Sequence, residues 1–208
     1  MLQIIPALLV AITVVIQCLA VQMSRYRLSR MNARPLHHGL ALMSGMLAAA
    51  AIILRLYQND SAVGVLFMTI MTGCMTLMTL TDAASCRLPR PFTIMYLISG
   101  SAFRLWQGDW LTGLCSAGFW FLLLLLFRQY TSYRRKTETI GLGDVFLIAG
   151  IAIWSPPGDI PWIVATAAGG ALLYLWCNRQ RRITRELPFG PFLCASQYAF
   201  TFYPGGLW

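Results

Sequence analysis

Charge is scarce in this chain of 208 residues: 11 % are Asp, Glu, Lys or Arg, and seven in all are acidic. With 58 % hydrophobic residues and a mean hydropathy of +0.64, there is too little polar surface to cover a water-soluble globule. The six cysteines, Cys18, Cys74, Cys86, Cys115, Cys177 and Cys194, form no CxxC pair and lie mostly in apolar stretches. Neither a zinc site nor a disulfide framework is indicated. No repeat, low-complexity tract or long linker interrupts the chain, so one membrane domain over residues 1–208 is expected. The first apolar stretch lacks a basic region before it and an Ala-x-Ala cleavage site, so it reads as a retained helix rather than a signal peptide.

What the chain does have is apolar runs, at Met1–Gln22, Leu36–Leu56, Ser61–Thr81, Phe92–Trp106, Trp110–Phe127, Asp144–Trp154, Pro161–Cys177 and Phe189–Tyr203. Most approach the roughly 20 residues that a helix needs to cross a bilayer core. The expected fold is all-α, a polytopic membrane helix bundle of about eight transmembrane helices. The runs starting at Phe92, Asp144 and Phe189 are short enough to be tilted or half-inserted.

Positive charge sets an orientation, because Lys and Arg accumulate in short cytoplasmic loops. Arg25, Arg27, Arg30 and Arg34 follow the first run, and Arg87 and Arg90 follow the third. Arg128, Arg134, Arg135 and Lys136 follow the fifth, and Arg179, Arg181, Arg182 and Arg185 follow the seventh. These are 14 of the 16 basic residues, all in alternate loops, with Arg55 and Arg104 left near opposite-side ends. The other loops carry Asp60, Asp109 and Asp159. Both termini are therefore expected on the non-cytoplasmic side. The net charge of +9 then has a topological cause, and its expected partners are anionic membrane lipids rather than nucleic acid.

Trp106, Trp110, Trp154, Trp162 and Trp208 fall near expected helix ends and read as an interfacial anchoring belt. Met68, Met71, Met75 and Met78 recur at three- and four-residue spacing on one helical face, as ordinary packing or as an adaptable groove for a substrate helix. Gly169 and Gly170 read as a site of close helix approach. His37 and His38 adjoin a basic loop and read as interfacial.

On the expected cytoplasmic face the acidic residues are Asp82, Glu138, Asp144 and Glu186. Glu138 and Glu186 lie among basic residues, where solvated surface pairing accounts for them. Asp82 and Asp144 abut hydrocarbon, and an ionisable group there marks a functional site. Asp144 also has a structural reading, as the N-cap of the helix that Val145 opens. Asp82 stands at a helix C-terminus, where a carboxylate opposes the helix dipole and something else must hold it. Two carboxyls sharing one proton divide into a general acid and a base that polarises water, as peptide hydrolysis at neutral pH requires. From the helix ends alone, the proton is expected mainly on Asp82, with Asp144 as the base. Gly141 and Gly143, by lacking Cβ and allowing positive φ, are expected to let a substrate backbone approach.

The residues resemble the bacterial prepilin peptidases, membrane aspartyl proteases of the GxGD type. Three segments carry the resemblance: Thr81-Asp82 through Leu88-Pro89 to Thr93, Gly141-Leu142-Gly143-Asp144, and Leu187-Pro188-Phe189-Gly190-Pro191-Phe192. In order and spacing they cover roughly residues 75–200. The resemblance implies that Asp82 and Asp144 are the catalytic pair, working without metal or organic cofactor. It also implies a multi-pass protein of the bacterial inner membrane that cuts type IV prepilins or pseudopilins at the cytoplasmic face, between a basic leader and an apolar helix.

Many family members also carry a cytoplasmic segment with paired CxxC motifs and methylate the new amino terminus. Met23–His38 is short and without cysteine, which argues against zinc and leaves methyl transfer open. Presenilin-type proteases pair GxGD with Tyr-Asp and Pro-Ala-Leu, whereas this chain has Thr-Asp and Pro-Phe-Gly. Two other classes remain: a proton-coupled transporter, and a non-catalytic membrane subunit of a secretion or pilus machine. Relay carboxylates belong near the bilayer midplane rather than at its boundary, and an idle subunit would not need both aspartates.

Overall fold

The computed structural model describes residues 4–30, 38–57, 61–86, 88–135, 141–178 and 187–202. Arg34, His37, Asp60, Arg87, Lys136, Glu138, Arg179, Arg181, Arg182, Arg185, Glu186 and Trp208 lie outside them. The described residues form eight helices: α1 (Ile4–Arg30), α2 (His38–Tyr57), α3 (Ala62–Ser85), α4 (Arg90–Gln107), α5 (Trp110–Arg135), α6 (Leu142–Trp154), α7 (Ile160–Cys177) and α8 (Gly190–Thr201). The all-helical expectation holds, and each helix falls on an expected run.

The ends differ from the hydropathy boundaries in an informative way. α1 and α5 run eight residues past their apolar stretches, through Arg25, Arg27 and Arg30 and through Arg128 and Arg134. Arginine is a good helix former, so these helices carry their basic charge beyond the apolar core without a break. α4, α7 and α8 instead open on Pro91, Pro161 and Pro191, whose missing N–H costs nothing in a first turn.

Segments of α1, α3, α5 and α7 are long and apolar enough to cross a membrane, and α2 and α6 hold shorter apolar helices, so the chain is a multi-pass membrane protein. α3 and α6 form the centre. Fourteen residues of α3 are buried, and so is every residue of α6 from Leu147 to Trp154. A helix that is apolar all round suits either lipid or a protein interior; α6 takes the interior, packing against α4, α5, α7 and α8. At 13 residues it is about 20 Å long, shorter than the hydrocarbon core of about 30 Å.

Both ends of α6 are held by other elements. At its C-terminus the buried Arg104 of α4 donates to the carbonyls of Ile153 (2.8 Å) and Ser155 (3.0 Å) and pairs with Asp109 at 3.4 Å. Arg104, expected merely near a helix end, thus supplies the cation that a helix C-terminus favours. Close approach of α4 and α6 needs Gly100 and Gly150. A Cβ on Gly100 would stand 2.8 Å from Ile153 and Trp154 side-chain atoms, and one on Gly150 would stand 2.5 Å from the Tyr96 ring. Across this contact Tyr96 donates to Gln197 of α8 at 2.6 Å, and Trp154 Nε1 donates to the Tyr96 carbonyl at 3.1 Å.

Two expectations are corrected here, and the alternative left open for the methionine face is decided. Trp154 is no interfacial anchor: it is fully buried, stacked on Phe103 with ring centroids 5.2 Å apart, whereas Trp106, Trp110 and Trp162 are exposed. Of the two readings of the Met68, Met71, Met75 and Met78 face, ordinary packing holds: it is fully buried core and no groove for a substrate. Gly170 meets Phe192 only at an ordinary 3.4 Å, and Gly169 faces open space, so neither is a site of unusually close approach.

Two outcomes are expected from this arrangement. Gly150→Ala should cost about 1–3 kcal/mol by overpacking, less up to about 1 kcal/mol regained in helix propensity, and so lower the unfolding temperature in detergent; an unchanged temperature would contradict the contact. After replacement of the native cysteines, Tyr133→Cys should be labelled only by reagents that enter the cytoplasm, and Gly158→Cys only from the opposite side. These exposed positions flank α6, and the buried Ser155 is unsuited as a reporter. Labelling of both from one side would show that α6 does not cross.

Candidate active site

Asp82 lies inside the last turn of α3 rather than after it. The Ser85 hydroxyl donates to the Thr81 carbonyl at 2.7 Å, competing with the backbone for that acceptor one residue before the helix ends. The helix then ends as Cys86 takes the left-handed conformation (φ 51°) and its N–H bonds the Asp82 carbonyl at 2.7 Å. This turn sends the chain through Leu88 and Pro89 into α4. The Asp82 side chain is 4 % exposed, and its Oδ2 accepts the N–H of Gly190, the first residue of α8, at 2.8 Å.

Asp144 does not cap α6. The N-cap is Gly141, with no side-chain cap bond, and Asp144 is the third residue of the first turn, its N–H donating to the Gly141 carbonyl at 3.1 Å. A carboxylate in a first turn still gains from the positive end of the helix. It is partly exposed, in contrast to Asp82.

The GxGD glycines act differently from the expectation. Among the described residues the glycine with positive φ is Gly108, while Gly141 has φ −64°. A Cβ on Gly143 would stand 2.8 Å from the Leu88 Cβ, so Gly143 lets the segment after Asp82 lie directly on the start of α6. A Cβ on Gly141 would stand 3.2 Å from Asp144 Oδ2, so that carboxylate folds back over its own N-cap. Gly141 is exposed and open to a ligand, whereas Gly143 is committed to Leu88.

Three segments far apart in sequence thus meet at one place: the end of α3, the start of α6 and the start of α8. Arg27 of α1 places its guanidinium 5.2 Å from the centroid of the Phe92 ring at the start of α4. Residue-level reading missed Gly190. The available signal was a glycine between two prolines, in a chain where Asp82 lacked any visible support. Gly143→Ala should displace Leu88, and a shift of about 1 Å at the pair is expected to lower cleavage of a pilin precursor, the substrate class of the resemblance, by about 10²-fold. Leu88→Gly in the same chain should restore part of it. A fully active single variant would show that this contact does not set the geometry.

The type IV leader peptidase family matches residues 65–176, more than half of the chain and inclusive of both aspartates. Two curated relatives, each a prepilin leader peptidase/N-methyltransferase, come from Burkholderia pseudomallei strains 1026b and K96243. Each is 33 % identical over 175 residues, which is 79 % of this chain and 53 % of the relative. The chain spans about half the length of the curated relatives it matches. No solved structure matches it. The Thr-Asp and GxGD segments that meet at the ends of α3 and α6 fall within the matched region, and the chain belongs to the type IV leader peptidase family.

Proposed function

We propose that this chain is a membrane aspartic endopeptidase that removes the basic leader from type IV prepilins or pseudopilins at the cytoplasmic face of the bacterial inner membrane. The observation that carries this reading is the placement of two carboxyls, the buried Asp82 in the last turn of α3 and the partly exposed Asp144 in the first turn of α6, on segments joined by the Leu88–Gly143 contact. Family membership and the names of the relatives support the substrate class.

In the proposed reaction one carboxyl is protonated and the other ionised. The ionised one takes a proton from water as the water oxygen attacks the scissile carbonyl carbon. The protonated one gives its proton to the carbonyl oxygen. Collapse of the tetrahedral intermediate breaks the C–N bond as one of its hydroxyls returns a proton to the carboxylate that gave it, and the proton taken from water passes to the departing amine. This pair completes hydrolysis with its own protons, so the scheme calls on no cofactor.

Substrate affinity is assigned to the pilin's apolar helix and not to its leader. The face that would meet the leader carries most of the chain's positive charge, which repels a basic segment. Surrounding anionic lipids offset that repulsion.

Asp82→Asn and Asp144→Asn should each lower precursor processing by about 10²–10⁴-fold at unchanged abundance, because the amide keeps the shape but cannot exchange the proton. Glu138→Gln and Glu186→Gln should retain activity. The pH profile should be bell-shaped: activity is lost toward low pH as the second carboxyl gains a proton, and toward high pH as the shared proton leaves. Full processing by either Asp variant in a membrane assay would remove the reading, and coupled proton transport in its place would favour a carrier.

A further inference from the structure

The Pro-Phe-Gly-Pro turn at the start of α8 has a distinctive donor arrangement. The first N–H groups of any helix lack intrahelical partners. Here Pro188 and Pro191 have no N–H at all, and the N–H groups of Phe192 and Leu193 return to the Phe189 carbonyl at 3.1 and 3.2 Å. The N–H of Gly190 goes instead to Asp82 Oδ2 at 2.8 Å. The turn therefore presents this donor to a buried carboxylate 108 residues earlier in the chain.

The contact also explains why residue 190 has no side chain. A Cβ there would stand 2.7 Å from Asp82 Oδ2, 3.2 Å from its Cγ and 3.3 Å from its Cβ. The side chain of Asp82 thus occupies the space that a Cβ on residue 190 would need. α8 is in turn fixed by Tyr96 on Gln197 and by the Tyr198 hydroxyl, which donates to the Thr72 carbonyl of α3 at 3.3 Å. The donor is thus attached to the same helix that carries Asp82.

We infer that Gly190 is a positioning residue: its main-chain N–H, aimed by the two prolines, holds Asp82 Oδ2 and leaves Oδ1 to share the proton and meet the water. The kinetic consequence rests on the peptidase reading above, whereas the contact does not. An amide donor to a carboxyl fixes both its orientation and its electrostatics, and misorientation of a reacting group by about 1 Å can cost about 10²-fold in rate.

The test is Gly190→Ala in the full chain, with Gly118→Ala as a control because open space surrounds Gly118. Gly190→Ala should lower kcat by about 10²-fold and change KM by less than about threefold, since the pilin helix binds elsewhere. Infrared difference spectra with isotope-labelled aspartate should show a moved carboxyl band in Gly190→Ala that is absent when Asp82 is already Asn. An unmoved band overturns the contact, and a moved band with wild-type kcat overturns the positioning role. If Gly190→Ala accumulates poorly, a double-mutant cycle decides: the loss of stability should largely vanish in an Asp82→Ala background, and an equal loss in both backgrounds overturns the contact. Should Asp82→Asn itself process precursor, the peptidase reading falls and the kinetic role with it, while the band shift still judges the contact.

Discussion

Two carboxyls near hydrocarbon are the constraint on which the rest of this fold depends. Each loses hydration at the apolar boundary, and bringing them together adds repulsion whenever both are ionised. Nothing local to Asp82 offsets this, because the carbonyl end of α3 carries the wrong partial charge for a carboxylate. The compensation comes from a third element, α8, whose first N–H is delivered to the carboxyl at hydrogen-bond distance. Asp144 has its own compensation, a place in the first turn of α6 with some access to water. The pair therefore depends on three helix ends arriving together, and the architecture follows from that requirement.

α6 shows how the requirement shapes packing. It is short, buried on every side and carries a candidate catalytic carboxyl in its first turn, so an axial slip of one residue would move Asp144 by about 1.5 Å. Two clamps oppose such a slip. Arg104 grips the C-terminal carbonyls, and Leu88 lies on Gly143 at the N-terminus. Between them, Gly100 and Gly150 bring α4 so close that Tyr96 and Trp154 interlock. Small residues matter more here than apolar area, since lipid offers no hydrophobic drive to press helices together. The buried hydrogen bonds from Tyr96 to Gln197 and between Thr13 and Thr69 add direction to that packing.

Much of this was legible in the sequence, for reasons that also mark where legibility ends. The eight runs could be read because hydropathy is averaged over many residues. Their ends could not, because helices such as α1 and α5 continue wherever residues favour a helix, regardless of polarity. Asp82 and Asp144 stood out by charge against an apolar background, but their places within the turns did not, and Asp144 proved to be third in its turn with Gly141 as cap. Periodicity found the methionine face of α3 but could not say whether a partner or the protein's own core covers it; α8 and its neighbours do. Trp154 sits at a helix end in sequence and in the centre of the protein in space, because α6 is itself central. The contact of Gly190 lay beyond periodicity, since a bond across 108 residues leaves no local repeat, and the proline-flanked glycine was the one signal of it.

The same long-range contact changes the argument about where the shared proton sits. Helix ends taken singly set Asp82, at a C-terminus, against Asp144, at an N-terminus, and so favour the proton on Asp82. In the assembled fold Asp82 faces two helix ends of opposite sign, the carbonyl end of α3 and the amide end of α8, and the donor of α8 is in direct contact. Both carboxyls then have an N-terminal helix turn beside them, and the asymmetry that separated them is much reduced. What still differs is access to water, which Asp144 has and Asp82 largely lacks. Two groups of similar electrostatic standing exchange a proton more readily than two that are strongly unequal, so the proton belongs to the pair. The proposed hydrolytic cycle asks each carboxyl to give and take a proton in turn, and the α8 donor on Asp82 favours that balance more than the two helices alone would.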